Sequence, residues 1–244
     1  MWALYKKELS GFFTSVTGYL AIVVFLVIMG LMLWVLKSPF NILDDGYSVM
    51  DGFFMIAPFL YLFLIPAITM KMFAEEKRGG TMEFLLTKPL SDMGIVWSKF
   101  MAGVTLVVIS LVPTLVVYFT IYALGDPVGN IDTGSVCGSY IGLLFLGAAF
   151  VGLGLFASAI TNNQIVAFIV AAVLSLFMYV GFESLYQMGI LGKADLLVKS
   201  LGMRHHYDSI SRGVIDTRDL LYYISLVVIT LMATRMVLQS RKWK

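Results

Sequence analysis

A single cysteine in 244 residues rules out an internal disulfide, and nothing around Cys137 has the spacing of a thiolate metal site. Charge is scarce as well: 13% of residues are Asp, Glu, Lys or Arg, and the formal net charge is +2. No nucleic-acid partner is expected. Catalytic signatures are missing throughout. There is no G-x-x-x-x-G-K-[ST] phosphate loop, no H-E-x-x-H, no nucleophile elbow and no pair of carboxylates within an apolar run. The chain is therefore read as a non-enzyme, with no catalytic residue, no metal and no directly bound cofactor. The apolar runs are almost uncharged at their centres, which argues against a gradient-driven carrier, because such carriers place ionisable groups near mid-membrane. If the chain does transport work, the weight shifts to a partner that hydrolyses the nucleotide.

What is abundant is apolar surface. Hydrophobic residues make up 59% of the chain and mean hydropathy is +0.90, more than one water-facing core of this size can hide. Six runs reach the length of a helix crossing a hydrocarbon core of about 30 Å: residues 16–36, 53–70, 101–124, 140–160, 164–182 and 220–238. Together they take up about half of the chain and predict an all-α polytopic membrane protein with a single transmembrane domain over 1–244. Pro58 and Pro66 predict a bend or partial break in the second run. Residues 2–13 precede the first run and no small-residue cleavage pattern follows it, so that run is expected to stay as a span.

The positive charges give the direction. Lys6 and Lys7 precede the first run, Lys71, Lys77, Arg78, Lys88 and Lys99 lie between the second and third, and Arg241, Lys242 and Lys244 follow the sixth. The 126–140 connection has no Lys or Arg. This bias places both termini and the 71–99 segment in the cytoplasm. The 183–219 segment is external by parity although it carries Lys193, Lys199, Arg204, Arg212 and Arg218; longer translocated loops tolerate such charge.

The opening residues MWALYKKELSGFF place Trp2, Tyr5, Leu9, Phe12 and Phe13 on one helical face, with Lys6, Lys7 and Ser10 turned away. This predicts an amphipathic interfacial helix. Between the fourth and fifth runs TNNQ predicts a tight hairpin, and Gly147, Ala148, Gly152, Gly154 and Ser158 supply small-residue spacings for close helix packing. In the last long connection Asp208 and Arg212 are expected to pair across a turn, Gly213 to end it, and Asp216 or Thr217 to cap the final helix. His205 and His206 have no acidic or cysteine set nearby in sequence and are read as a surface or interfacial pair.

The densest charged stretch, MKMFAEEKRGGTMEFLLTKPLSDMGIVWSKF, parses into three pieces. KMFAEEKR prolongs the second span until Gly79 and Gly80 break it. TMEFLL forms a short helix capped by Thr81 and stopped by Pro89, exposing Met82, Leu85 and Leu86 beside Glu83 and Lys88. SDMGIVWSKF then restarts from Ser91 into the third span. The middle piece reads equally as a docking helix for another protein or as a connector whose apolar residues rest on the bilayer.

Residues 73–91 resemble the segment E-E-(K/R)-x-x-G-T-x-E-x-L-L-x-x-P of ABC-2 type permeases, matched by Glu75, Glu76, Lys77, Gly80, Thr81, Glu83, Leu85, Leu86 and Pro89. Residues 205–223 are similar to the family's segment ahead of its last span, with Gly213, Asp216 and Arg218 in matching places. Within the family the chain looks most like gliding-motility permease subunits, with the nitrous-oxide-reductase maturation permeases as relatives. The resemblance implies that Thr81–Leu86 is a coupling helix contacting an ABC ATPase subunit through Glu75, Glu76, Thr81, Met82, Glu83, Leu85, Leu86 and Pro89. It also implies that ATP and Mg are bound by that partner, that a second permease subunit pairs as homo- or heterodimer, and that the complex sits in the bacterial inner membrane. An auxiliary envelope or motility subunit is a further implied partner. The large external domain of some family exporters is absent, which leaves the substrate open. The alternative is a non-transporting membrane scaffold for an envelope complex.

Overall fold

The computed structural model describes residues 1–82, 91–189, 192, 195–214 and 216–240. Among them there are helices and turns and no strand. Six helices are long and apolar enough to cross a bilayer: Gly18–Val35, Asp51–Arg78, Asp92–Leu124, Thr133–Ile160, Gln164–Gln187 and Thr217–Ser240. The protein is an all-α, multi-pass membrane protein. With backbone donors and acceptors paired inside each helix, these segments need no water in the hydrocarbon.

In chain order, α1 (Trp2–Thr14) turns at Ser15, whose hydroxyl accepts from Gly18 N–H, into α2 (Val16–Gly30), which ends in one wide π-type turn at Leu31–Val35. A short α3 (Ile42–Asp45) leads to α4 (Asp51–Thr69) and its continuation α5 (Lys71–Arg78). The third span is α6 (Asp92–Leu111) joined through a 3-10 turn containing Pro113 to α7 (Leu115–Leu124). Then follow α8 (Thr133–Ile160), α9 (Gln164–Leu176), α10 (Phe182–Gln187), α11 (Asp195–Leu201), α12 (Met203–Ile210) and α13 (Thr217–Ser240). The helical termini use the side chains that the sequence offers. Ser91 accepts from Gly94 N–H, Asn163 from Ile165 N–H and Asp216 from Arg218 N–H.

Helix α8 is the axis of the bundle, with α4, α6, α9 and α13 packed round it. Its small residues decide how near they come. A Cβ at Gly154 would lie 2.8 Å from Thr69 Cβ on α4, and one at Gly152 would lie 3.3 Å from Thr230 Cβ on α13. Dispersion between helix backbones, rather than water exclusion, drives association in lipid, so these close approaches are where the packing energy lies.

Both prolines predicted to bend the second span lie inside α4, yet the helix runs through them and is interrupted only at Met70. One side chain of α8 repairs that junction. Ser158 Oγ accepts from Phe73 N–H and Ala74 N–H, both at 3.0 Å, and donates to Met70 O at 3.0 Å. Two first-turn donors of α5 and a carbonyl at the end of α4 are thereby satisfied away from water.

Candidate functional site

The end of the bundle that carries α1 and α5 will be called the loop end. Here Lys99, in the second turn of α6, is fully buried. Its ammonium donates to Glu8 Oε1 on α1 at 2.8 Å and to the Met72 carbonyl on α5 at 2.5 Å, and forms an ion pair with Glu76 Oε2 on α5 at 2.9 Å. The Phe73 ring lies 5.1 Å away. Lys7 closes the circuit from the rim with a 2.8 Å bond to Glu76 Oε1. A buried cation persists only when fully paired, and this one is paired to two helices remote in sequence. The Lys7 ammonium is held above its ordinary range; partial burial alone would lower it, but the hydrogen bond and charge of Glu76, with Glu8 behind, outweigh that.

Further contacts tie the same elements. Tyr5 Oη and Thr105 Oγ1 are 3.0 Å apart, Ser98 Oγ donates to Met1 O, and Lys77 Nζ donates to Ala159 O at the carbonyl end of α8. The base of the charged segment is thus fixed to α1, α6 and α8. Above it, Gly79 ends α5 and Gly80 takes φ +67°, a left-handed conformation that suits glycine. Thr81 and Met82 are helical again.

Among the described residues, Glu75, Glu76, Thr81 and Met82 of the predicted contact set are not all exposed. Glu75 is exposed, whereas the Glu76 side chain is only 12% exposed and committed to Lys99 and Lys7. Thr81 is exposed, but it is already helical and its hydroxyl donates back to Glu76 O at 3.3 Å. Met82, expected on the exposed side, is 3% exposed and belongs to the apolar core. Its thioether chain gains more from that core than from water. Glu83, Leu85, Leu86 and Pro89, and with them most of the predicted coupling helix, lie outside the described residues.

Sequence reading missed Glu8 and the burial of Lys99. Leu4, Tyr5, Glu8, Leu9 and Phe12 face the bundle, while Trp2, expected on the apolar face, is 66% exposed. A signal was there: Glu8 stands four residues after Leu4 and three after Tyr5, a carboxylate on an otherwise apolar stripe. Lys99 abuts an apolar run in the same way, and a cation so placed asks for a partner.

A cavity of about 460 Å³ opens between α1 and the α4–α5 junction. Phe12, Ile68 and Leu106 are among its apolar walls, and Lys7, Lys71 and Glu75 are among its polar ones.

At the opposite, clamp end, α12 lies on the start of α8. Tyr207 Oη donates to Phe54 O at 2.9 Å, and Ser135 and Ser139 hydroxyls both donate to Ser211 O. The first turns of α13 hold the α11–α12 junction: Tyr222 Oη donates to Leu201 O at 2.6 Å and Tyr223 Oη to Met203 O at 2.8 Å. His206 stacks on Tyr222, ring centres 3.9 Å apart. Its Nε2–H donates to Ser200 O at 2.8 Å, and Nδ1 lies 2.7 Å from Asp219 Oδ1. The histidine pair thus divides: His206 is an internal clamp with a carboxylate 13 positions away, which local sequence did not reveal. His205 is held below its ordinary value by burial and by the neighbouring His206 and Lys199. The Asp208 carboxylate pairs with Arg204 at 3.7 Å rather than with Arg212 as expected; Arg212 Nε donates to the Asp208 carbonyl instead. Burial pushes the Asp208 carboxyl up. Among the described residues no group of three or more His, Cys, Asp or Glu side chains could hold a metal ion.

The family model described as "ABC-2 family transporter protein" matches residues 2–238. No curated protein matches the chain. The match takes in all six spans, both fastened ends and the charged segment, and the chain belongs to the ABC-2 transporter family.

Proposed function

We propose that this ABC-2 family member is the membrane-spanning subunit of an ATP-driven complex, and that its 71–99 segment is the surface through which a partner ATPase moves the spans. The observation that carries this reading is the Lys99 centre. A push on the segment cannot displace α5 alone, because Glu76 and the Met72 carbonyl bind an ammonium that belongs to α6 and is shared with Glu8 of α1. Ser158 and Ala159 tie the same helix to α8, the axis of the bundle. Force applied at one loop is thereby delivered to three spans together.

In this reading the loop end and both termini face the cytoplasm of a bacterial inner membrane, as the Lys and Arg distribution suggests. A second permease subunit completes the path, the partner ATPases bind ATP and Mg, and the complex exports a substrate or transmits force. The resemblance to gliding-motility permeases makes an envelope motility apparatus the favoured setting, with an auxiliary envelope subunit attached.

The experiment is a mild-detergent pull-down of the full chain from native membranes, comparing wild type with Glu83→Arg plus Leu86→Asp. Co-purification of an ATPase with wild type and its loss from the variant is the expected result. Equal recovery from both forms, or no ATPase with either, overturns the docking role and leaves a non-transporting scaffold as the better reading.

A further inference from the structure

The cavity at the loop end has two kinds of wall. Phe12, Ile68 and Leu106 supply an apolar floor continuous with the spans, while Lys7, Lys71 and Glu75 stand at its polar rim. An apolar floor under a charged rim at the end of a span is the profile of a phospholipid, with acyl carbons below and a headgroup above. The rim charges choose among headgroups. Lys7 keeps its side chain 62% exposed while bound to Glu76, so its ammonium has donor capacity left on the open side. Glu75 is exposed, and its carboxylate makes no hydrogen bond or ion pair among the described residues. Glu8 and Glu76 also line the cavity, but they are committed to Lys99 and Lys7.

We infer that this cavity is a binding site for one zwitterionic aminophospholipid of the adjoining leaflet, its phosphate toward Lys7 and Lys71 and its ammonium on Glu75. An anionic headgroup would meet the Glu75 charge without compensation, whereas phosphate and ammonium together match both signs of the rim. A primary ammonium also has three protons for the carboxylate, which a choline headgroup lacks. The lipid fills the space between α1 and the α4–α5 junction and seats the amphipathic helix. This goes beyond the ATPase reading and does not depend on it, since no second protein is involved.

Gly11 provides the plug. It lines the cavity, and a Cβ built there meets nothing within 4 Å, so Gly11→Leu enters open space and also favours the helix. The test is native mass spectrometry of the full chain released from nanodiscs of equimolar palmitoyl-oleoyl phosphatidylethanolamine and phosphatidylglycerol, with thermal unfolding as the fold control. Wild type is expected to retain one phosphatidylethanolamine at least about fivefold more often than phosphatidylglycerol. Gly11→Leu, equally stable, is expected to lose most of that lipid. Glu75→Gln keeps a lipid but loses the headgroup preference. Retention undiminished in Gly11→Leu, a preference for phosphatidylglycerol, or no lipid on wild type overturns the assignment; so does loss from Gly11→Leu of a co-purifying protein with lipid unchanged.

Discussion

At the loop end, the buried ammonium of Lys99 draws in the carboxylates of Glu8 and Glu76, and Lys7 pairs with Glu76 from the rim, so that four charged side chains from three helices form one network. At the clamp end, aromatic hydroxyls and an imidazole hold backbone carbonyls of the α11–α12 junction, and Asp219 is the acid that pairs with His206 there. The first kind of fastening is strong only while complete, because removing one charge strands the others out of water. The second is divided among several separate bonds, each modest, so it loosens by degrees. Under the proposed coupling role, an end that passes a push to three spans together gains from all-or-none fastening. A helical cap over the opposite end gains from bonds that can be opened one at a time.

Lys99→Met gives the widest gap between the two ends. It leaves Glu8 and Glu76 without their shared cation and is expected to cost about 3–5 kcal/mol, read as a fall in the unfolding midpoint in detergent. Adding Glu8→Gln and Glu76→Gln should recover most of the loss; a single variant within about 1 kcal/mol of wild type would erase the contrast. Next in size is His206→Phe, which keeps a ring over Tyr222 but removes both polar contacts, for about 1–3 kcal/mol. Hydrogen exchange should rise in residues 195–203 while the loop end stays protected, and a rise at both ends would count against separate fastenings. Tyr222→Phe removes only the bond to Leu201 O and should cost about 1 kcal/mol, confined to the same segment. Lys7→Gln is the smallest. Its ammonium sits at an exposed rim, so about 0–1 kcal/mol is expected, and a loss approaching that of Lys99→Met would mean that the network is not centred on Lys99.

Much of this was open to a reader of the chain alone. The six apolar stretches, the caps at Ser91 and Asp216 and the break at Gly79–Gly80 follow from local patterns, since each depends on neighbours within a few positions. The small residues of α8 could be assigned to packing, but which partner each meets could not. Gly154 faces Thr69 and Gly152 faces Thr230, 85 and 78 positions distant by their numbering. Glu76 reads from sequence as a residue offered to a partner. Its actual neighbours, Lys7 and Lys99, are 69 and 23 positions away by number, and only folding brings them together. Met82 reads as exposed for a similar reason: a short amphipathic piece shows which residues are apolar, not which surface covers them.

By itself the sequence determined that the chain is a multi-pass membrane protein and where several of its helices start and stop. Hydrophobic period and backbone capping are local, and lipid leaves the helix as the only solution for each long run. The tertiary structure decided which charges are structural and which remain for others. It buried Lys99, Glu8 and Glu76 together, put His206 on Asp219, and left Glu75 at a cavity rim. Electrostatic partnership depends on distance in space and on burial, and neither can be read from spacing along a chain.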